Sequence, residues 1–116
     1  MQLFKKIMNS IGYSIDGVIA VWKKEQSFRL EIYACFIALP LIYFLWITRL
    51  EKLILILLLM LLLAIELFNS AIEALVDRIS SEIHPLSKLV KDASSAAVAI
   101  VILMNVIAWV SIVFIP

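Results

Sequence analysis

The sequence predicts an all-α integral membrane protein, with an N-terminal amphipathic surface helix and three transmembrane helices in a single membrane domain, residues 1–116. Three observations lead there. Of the 116 residues, 65% are hydrophobic and 16% charged, against about 45–50% and about 25% in ordinary soluble domains. A chain this short has too much surface per volume to hide such an apolar excess from water. The apolar residues also gather into three long stretches with little or no charge. The same composition excludes disorder, which needs low hydrophobicity, and a disulfide scaffold, because Cys35 is the one cysteine. A net charge of +1 with His neutral offers no basic surplus for nucleic acid, so none is expected as a partner.

The surface helix is expected over about residues 3–25. At 100° per residue, Leu3, Phe4, Ile7, Met8, Ile11, Ile15, Val18, Ile19 and Trp22 fill one broad face, with Lys5, Lys6, Asn9, Asp16, Lys23 and Lys24 mostly opposite. That is the pattern of a helix lying in the membrane interface. It lacks the compact apolar core and small-residue cleavage site of a signal peptide. Gly12 and Gly17 are expected to bend or fray it, each costing about 1 kcal/mol relative to Ala.

The first transmembrane helix is expected at about residues 30–48, where 32–48 hold no charge. Pro40 removes a helix hydrogen bond there and predicts a kink, which neighbouring helices tolerate in a membrane. Residues 48–52 read as a polar turn. The second helix is expected at about 53–76, with Glu66 and Glu73 its only charges, and the third at about 92–115, uncharged from Ala93 on. A spanning helix needs about 17–25 mainly apolar residues, so the stretches are long enough, and lipid requires each backbone to satisfy itself as a helix. The cytoplasmic loop is expected at about 77–91, on the loop-like Ser80-Ser81, His84-Pro85 and Ser87-Lys88. Lys5, Lys6, Lys23, Lys24, Arg29, Arg78, Lys88 and Lys91 fall on one side and only Arg49 and Lys52 on the other. The positive-inside rule then places the N-terminus in the cytoplasm and the C-terminus outside.

The chemistry concentrates on the second span. Glu66, Asn69, Glu73 and Asp77 are spaced i, i+3, i+7 and i+11, within a sector of about 80°, along about 16 Å of axis. Intramembrane carboxylates are expensive and normally face a bundle interior or a functional cavity. Glu73 and Asp77 read equally as interfacial acids near a helix end, Asp77 pairing with Arg78 or a loop lysine; Glu66 also reads as a buried acid bonded between helices. Glu25 and Glu31, at the entry to span one, and Asp92, at the start of span three, reach the depth of Glu73. Two carboxylates held together can share Mg²⁺, a hard cation that takes few protein ligands. Lys91, at a helix start, suits a phosphate. Singly, these acids read as solvated entry-point groups and Lys91 as a snorkelling cation.

No GxxxxGK[ST] loop, CxxC or HExxH is present. One His cannot build a metal cluster, and Cys35 reads as a small apolar packer. Asn105 and Ser111 read as interhelical hydrogen-bonding residues, and the small-residue run 92–97 suits close helix contact. A small proton-coupled transporter is another class open to these residues. It needs a polar path across the bilayer, and here the polar groups cluster at one end.

A resemblance narrows the reading. Glu66-x-x-Asn69-Ser70-Ala71-Ile72-Glu73-Ala74-x-Val76-Asp77-Arg78-Ile79, then Ser81-Glu82-x-His84 and Lys91-Asp92-x-x-Ser95-Ala96-Ala97-Val98, resembles prokaryotic diacylglycerol kinase. Gly12-Tyr13-Ser14-x-x-Gly17 and Trp22-x-x-Glu25-x-x-Phe28-Arg29-x-Glu31 fit the same family in the same order. The resemblance implies a homotrimer with shared active sites in the bacterial cytoplasmic (inner) membrane. It implies transfer of the γ-phosphate of MgATP to the hydroxyl of diacylglycerol, giving phosphatidic acid. By resemblance, Glu66 is the catalytic base, Glu25 and Glu73 hold the Mg²⁺, and Asn69 and Asp92 orient the catalytic groups. Lys91 neutralises phosphate charge. Lys6, Tyr13, Asp77, Glu82 and His84 serve the nucleotide side. Ser14, Glu31, Ser95 and Trp109 border the lipid site with Glu66. A related branch phosphorylates undecaprenol with the same core; the Ser81-Glu82-Ile83-His84 loop looks closer to the diacylglycerol branch. Asn9, Asp16 and Pro85 depart from the family pattern.

Overall fold

The computed structural model describes residues 1–79, 82 and 84–115. Ser80, Ser81 and Ile83 of the expected loop, and Pro116, lie outside the described residues. Among the described residues four α-helices follow in order: α1 Gln2–Lys24, α2 Gln26–Phe44, α3 Arg49–Ile79 and α4 Pro85–Trp109, the last continued by a π-helical segment Val110–Phe114. Three helical stretches among these residues are long and apolar enough to cross a membrane: Gln26–Phe44, Arg49–Ile79 and Pro85–Phe114.

Each boundary has a local cause. α1 and α2 are parted by the single residue Glu25, extended at φ −108° and ψ 114°. Arg29, one turn into α2, donates from Nη1 to the carbonyl oxygens of Trp22 at 2.6 Å and Lys23 at 3.1 Å. It satisfies two of the carbonyls that a helix end leaves without partners. Trp22 meets Tyr33 edge to face, with centroids 5.5 Å apart.

The connection between α2 and α3 sits earlier than the polar turn expected at 48–52. Thr48 and Glu51 form a reciprocal cap: Thr48 N donates to Glu51 Oε1 at 3.0 Å and Glu51 N to Thr48 Oγ1 at 3.1 Å. This capping box starts the helix at Arg49 and draws residues 49–52 into its first turn. α4 likewise begins at Pro85, seven residues before the expected 92. His84 Nδ1 accepts from Leu86 N at 3.0 Å, and Pro85 takes the first helical position, where its missing N–H and fixed φ do no harm. Helix α3 in turn runs on to Ile79, so most of the expected 77–91 loop is helical. α1 is continuous through Gly12 and Gly17, so the helix does not fray there; both keep negative φ. Pro40 lies inside α2.

Packing is dominated by α3, against which α4, α2 and α1 all lie. Leu58 and Asn69 are eleven residues apart on α3. They meet Asn105 and Ser94, eleven apart in the reverse direction on α4. The two helices therefore form one antiparallel hairpin in a single register. The buried apolar residues are Phe28, Ile42, Leu55, Val76, Val98 and Val101. Among the described residues four polar ones are buried with them: Glu66, Ser70, Ser94 and Asn105. Asn105 donates from Nδ2 to Leu58 O at 3.1 Å and Val101 O at 3.0 Å, the interhelical role read from the sequence.

Candidate active site

One turn of α3 separates each member of the polar stripe from the next, so Glu66, Asn69 and Glu73 rise on one face. That face is turned inward. Glu66 is 8% exposed, and Glu31, on α2, is its electrostatic neighbour. The second oxygen of Glu31, Oε2, is buried with no partner among the described residues.

One turn further, Asn69 Nδ2 donates to Glu73 Oε1 at 3.3 Å, and Ser94 Oγ, from α4, donates to Asn69 Oδ1 at 2.6 Å. Ser70, 4% exposed, turns its Oγ to Glu25 Oε1 at 3.4 Å. Glu25 is thus drawn from the α1–α2 junction onto the face of α3 that carries Glu73, three residues beyond Ser70. Among the described residues neither Glu25 nor Glu73 is in an ion pair. Lys91 Nζ pairs with Asp77 Oδ1 at 2.5 Å, so the lysine stands at the outer end of the stripe.

Other sequence-predicted residues are placed apart from this group. Asp92 is bonded by Lys88 of its own helix, and the contact from α4 to Asn69 comes from Ser94, a residue that no motif singled out. His84 spends Nδ1 on capping α4. Lys6 and Tyr13 lie exposed on α1, Glu82 is exposed between α3 and α4, and Ser95 is exposed on α4. Trp109 is fourteen residues beyond Ser95, about 21 Å along the helix axis. Ser14 does reach the site's flank: with Gly17, Val18, Lys24, Ser70 and Ala74 it lines a cavity of about 480 Å³ between α1 and α3. The walls of that cavity are mostly apolar, with the Lys24 ammonium and the two serine hydroxyls as polar exceptions.

Chemically, the face offers a graded sequence. A deep pair of carboxyls comes first, then an amide held between a hydroxyl and a carboxylate, then a second carboxylate near Glu25, and a lysine outermost. The serines were not legible in the sequence because a small residue in an apolar helix reads first as a packing residue; only the position of the opposite helix reveals the bond.

Fold and site together define a small helical membrane protein, built of three bilayer-length helices with an acid-rich face buried toward one end. The chain belongs to the prokaryotic diacylglycerol kinase family, whose sequence profile matches residues 12–113. It is 43% identical over 106 residues to the diacylglycerol kinase of Escherichia coli (strain K12), covering 91% of this chain and 87% of that protein. Against the diacylglycerol kinase of Pseudomonas aeruginosa it is 40% identical over 108 residues, with 93% and 88% covered. The diacylglycerol kinase of Helicobacter pylori (strain 26695) is 36% identical over 106 residues, with 91% and 83% covered.

Proposed function

We propose that the chain is a MgATP-dependent diacylglycerol kinase of the bacterial inner membrane. It transfers the γ-phosphate to the lipid hydroxyl at the cytoplasmic surface, giving phosphatidic acid, and works as a homotrimer with its N-terminus inside. The observation that carries this reading is the polar face of α3, where Glu66, Asn69, Glu73 and, through Ser70, Glu25 are gathered on an otherwise apolar helix. Kinship with proteins named diacylglycerol kinase supports it.

The donor set fits a hard divalent cation. Glu25 and Glu73 are carboxylates without cationic partners among the described residues, and Mg²⁺ is held through one or two such groups plus substrate phosphates. When bound, the cation neutralises charge on the transferred phosphate. Phosphoryl transfer asks the protein mainly for positioning and charge neutralisation, and the chain's own groups supply both. The lipid lies with its apolar part along the cavity between α1 and α3, whose lining is apolar. Its hydroxyl comes to Glu31 and Glu66, where the partnerless Oε2 of Glu31 is a ready acceptor. The hydroxyl oxygen bonds to the γ-phosphorus as the bond to the ADP oxygen breaks, and the hydroxyl proton passes to the carboxylate of Glu66. Lys91 stands on the nucleotide side to balance phosphate charge. Tyr13, Glu82 and His84 seat ATP, with Lys6 beside them, and Asp92 orients the catalytic groups.

The test is phosphate transfer from labelled MgATP in mixed micelles, with diacylglycerol and undecaprenol side by side. Faster labelling of diacylglycerol is expected. Faster labelling of undecaprenol moves the function to the polyprenol branch, and labelling of neither by folded protein returns the transporter reading. Glu73→Gln is expected to lower activity by at least the 10–100-fold that loss of an outer-shell metal partner costs. Full activity in that variant would overturn the metal assignment.

A further inference from the structure

One neutral hydrogen bond crosses from α4 into the site, and its donor has no role in the mechanism above. Ser94 lies on the buried face of α4, 9% exposed, with Oγ 2.6 Å from Asn69 Oδ1. Asn69 presents its other end to Glu73, Nδ2 standing 3.3 Å from Oε1. The two ends of a side-chain amide have nearly the same shape, so packing alone cannot choose between them; hydrogen-bond partners must. An ionised carboxylate only accepts, which requires the NH₂ end to face Glu73. The carbonyl end is then left to a donor, and Ser94 is that donor. With the amide reversed, Oδ1 would face a carboxylate oxygen, acceptor against acceptor.

A serine inside a helix commonly turns its hydroxyl back on the carbonyl four residues earlier. Ser10 and Ser14 do this on α1, bonding Lys6 O and Ser10 O at 2.9 Å. Ser94 instead commits its hydroxyl across the gap to α3. It does so three residues beyond Lys91, which holds Asp77, so the two links from α4 fall on either side of Glu73.

We propose that Ser94 is a positioning residue of this site: its hydroxyl sets the direction of the Asn69 amide, and the amide presents the Glu73 carboxylate to the divalent cation. The second half of this rests on the reading of Glu73 as a cation ligand. Asn69 touches the groups that act; Ser94 works only through it.

The test uses full-length protein in micelles, labelled with ¹⁵N on asparagine. Only Asn9, Asn69 and Asn105 then report, and Mn²⁺ serves as the metal probe by electron paramagnetic resonance. In Ser94→Ala the Asn69 side-chain amide signals are expected to move toward those of a free amide, while Asn105 stays in place and certifies the hairpin. The Mn²⁺ dissociation constant is expected to rise about tenfold, the lower end of what outer-shell partners contribute. Ser94→Thr, which keeps the hydroxyl, is expected to restore both. Unmoved Asn69 signals in Ser94→Ala overturn the inference whatever the metal does. Moved signals with unchanged Mn²⁺ affinity overturn the link to Glu73, and equal defects in Ala and Thr assign the effect to shape. If the unaltered protein binds no Mn²⁺ while the Asn69 signals respond as expected, the hydrogen bond is upheld and the reading of Glu73 as a ligand falls.

Discussion

Arg29 joins two helices through one guanidinium nitrogen. Its bonds to Trp22 O and Lys23 O tie the last turn of α1 to α2, and the residue they bracket is Glu25, whose side chain reaches Ser70. Hydrogen bonds to a charged group contribute about 1.5–3 kcal/mol. Arg29→Ala is therefore expected to lower stability by about 2 kcal/mol and to loosen the α1–α2 junction. Limited trypsin digestion checks it: cleavage after Lys23 and Lys24 should quicken several-fold, and unchanged cleavage would show that α1 is held by its apolar contacts instead. At this scale the sequence was informative for groups whose partners lie along the same helix. Glu66, Asn69 and Glu73 were legible from spacing alone, because a helix converts spacing into a shared face. Ser70 and Ser94 were not, since each bonds to a residue outside its own helix, 45 and 25 positions away. Nor was the Lys88–Asp92 pair, although it lies along one helix, because 77–91 read as loop, where a spacing of four sets no shared face.

The helices themselves were largely legible, their ends less so. Three apolar stretches became three bilayer-length helices, because no other backbone arrangement satisfies itself in lipid. Charge and loop-like residues were read as loop, yet in α3 and α4 they continue the helix past the apolar stretch. Thr48-x-x-Glu51 shows how local caps decide this. The pair is a capping-box sequence that composition disguised as a polar turn. Removing either side chain is expected to cost about 1 kcal/mol, as helix caps usually do. The two losses should be less than additive, because each single change already breaks half of a reciprocal pair. Stability of Thr48→Ala, Glu51→Ala and the double variant in a denaturing-detergent titration measures the coupling. Strict additivity would mean that the bonds at 3.0 and 3.1 Å act independently, and that the start of α3 is set by packing.

For the whole molecule, α3 carries two opposed faces. Glu66, Ser70, Glu73, Leu55 and Val76 point into the protomer. On the other side, Leu57, Leu61, Ala64, Phe68, Ala71 and Leu75 are all exposed, Ala71 at the edge where it also lines the cavity between α1 and α3. Their spacing alternates four and three, which keeps them within about 80° of one another and is the seam repeat of helices that pack side by side. No more than 17% of the residues in each candidate span's apolar window are buried within the protomer, so exposure alone would fit contact with lipid. The seam adds a periodicity that lipid does not require, and its Ala64 allows close approach of backbones. The homotrimer of the proposed function predicts that α3 of each copy meets its equivalents along this seam, with the acid face kept toward α2 and α4 of its own protomer. Ala64→Cys in a Cys35→Ala background is expected to form disulfide-linked dimers on mild oxidation. Leu62→Cys, on the face about 160° away, is expected to stay monomeric on a denaturing gel. The reverse pattern would place the contact on another helix and leave the α3 seam to lipid. Cross-linking at neither position, from protein that sediments as a trimer, would likewise remove α3 from the interface while keeping the oligomer.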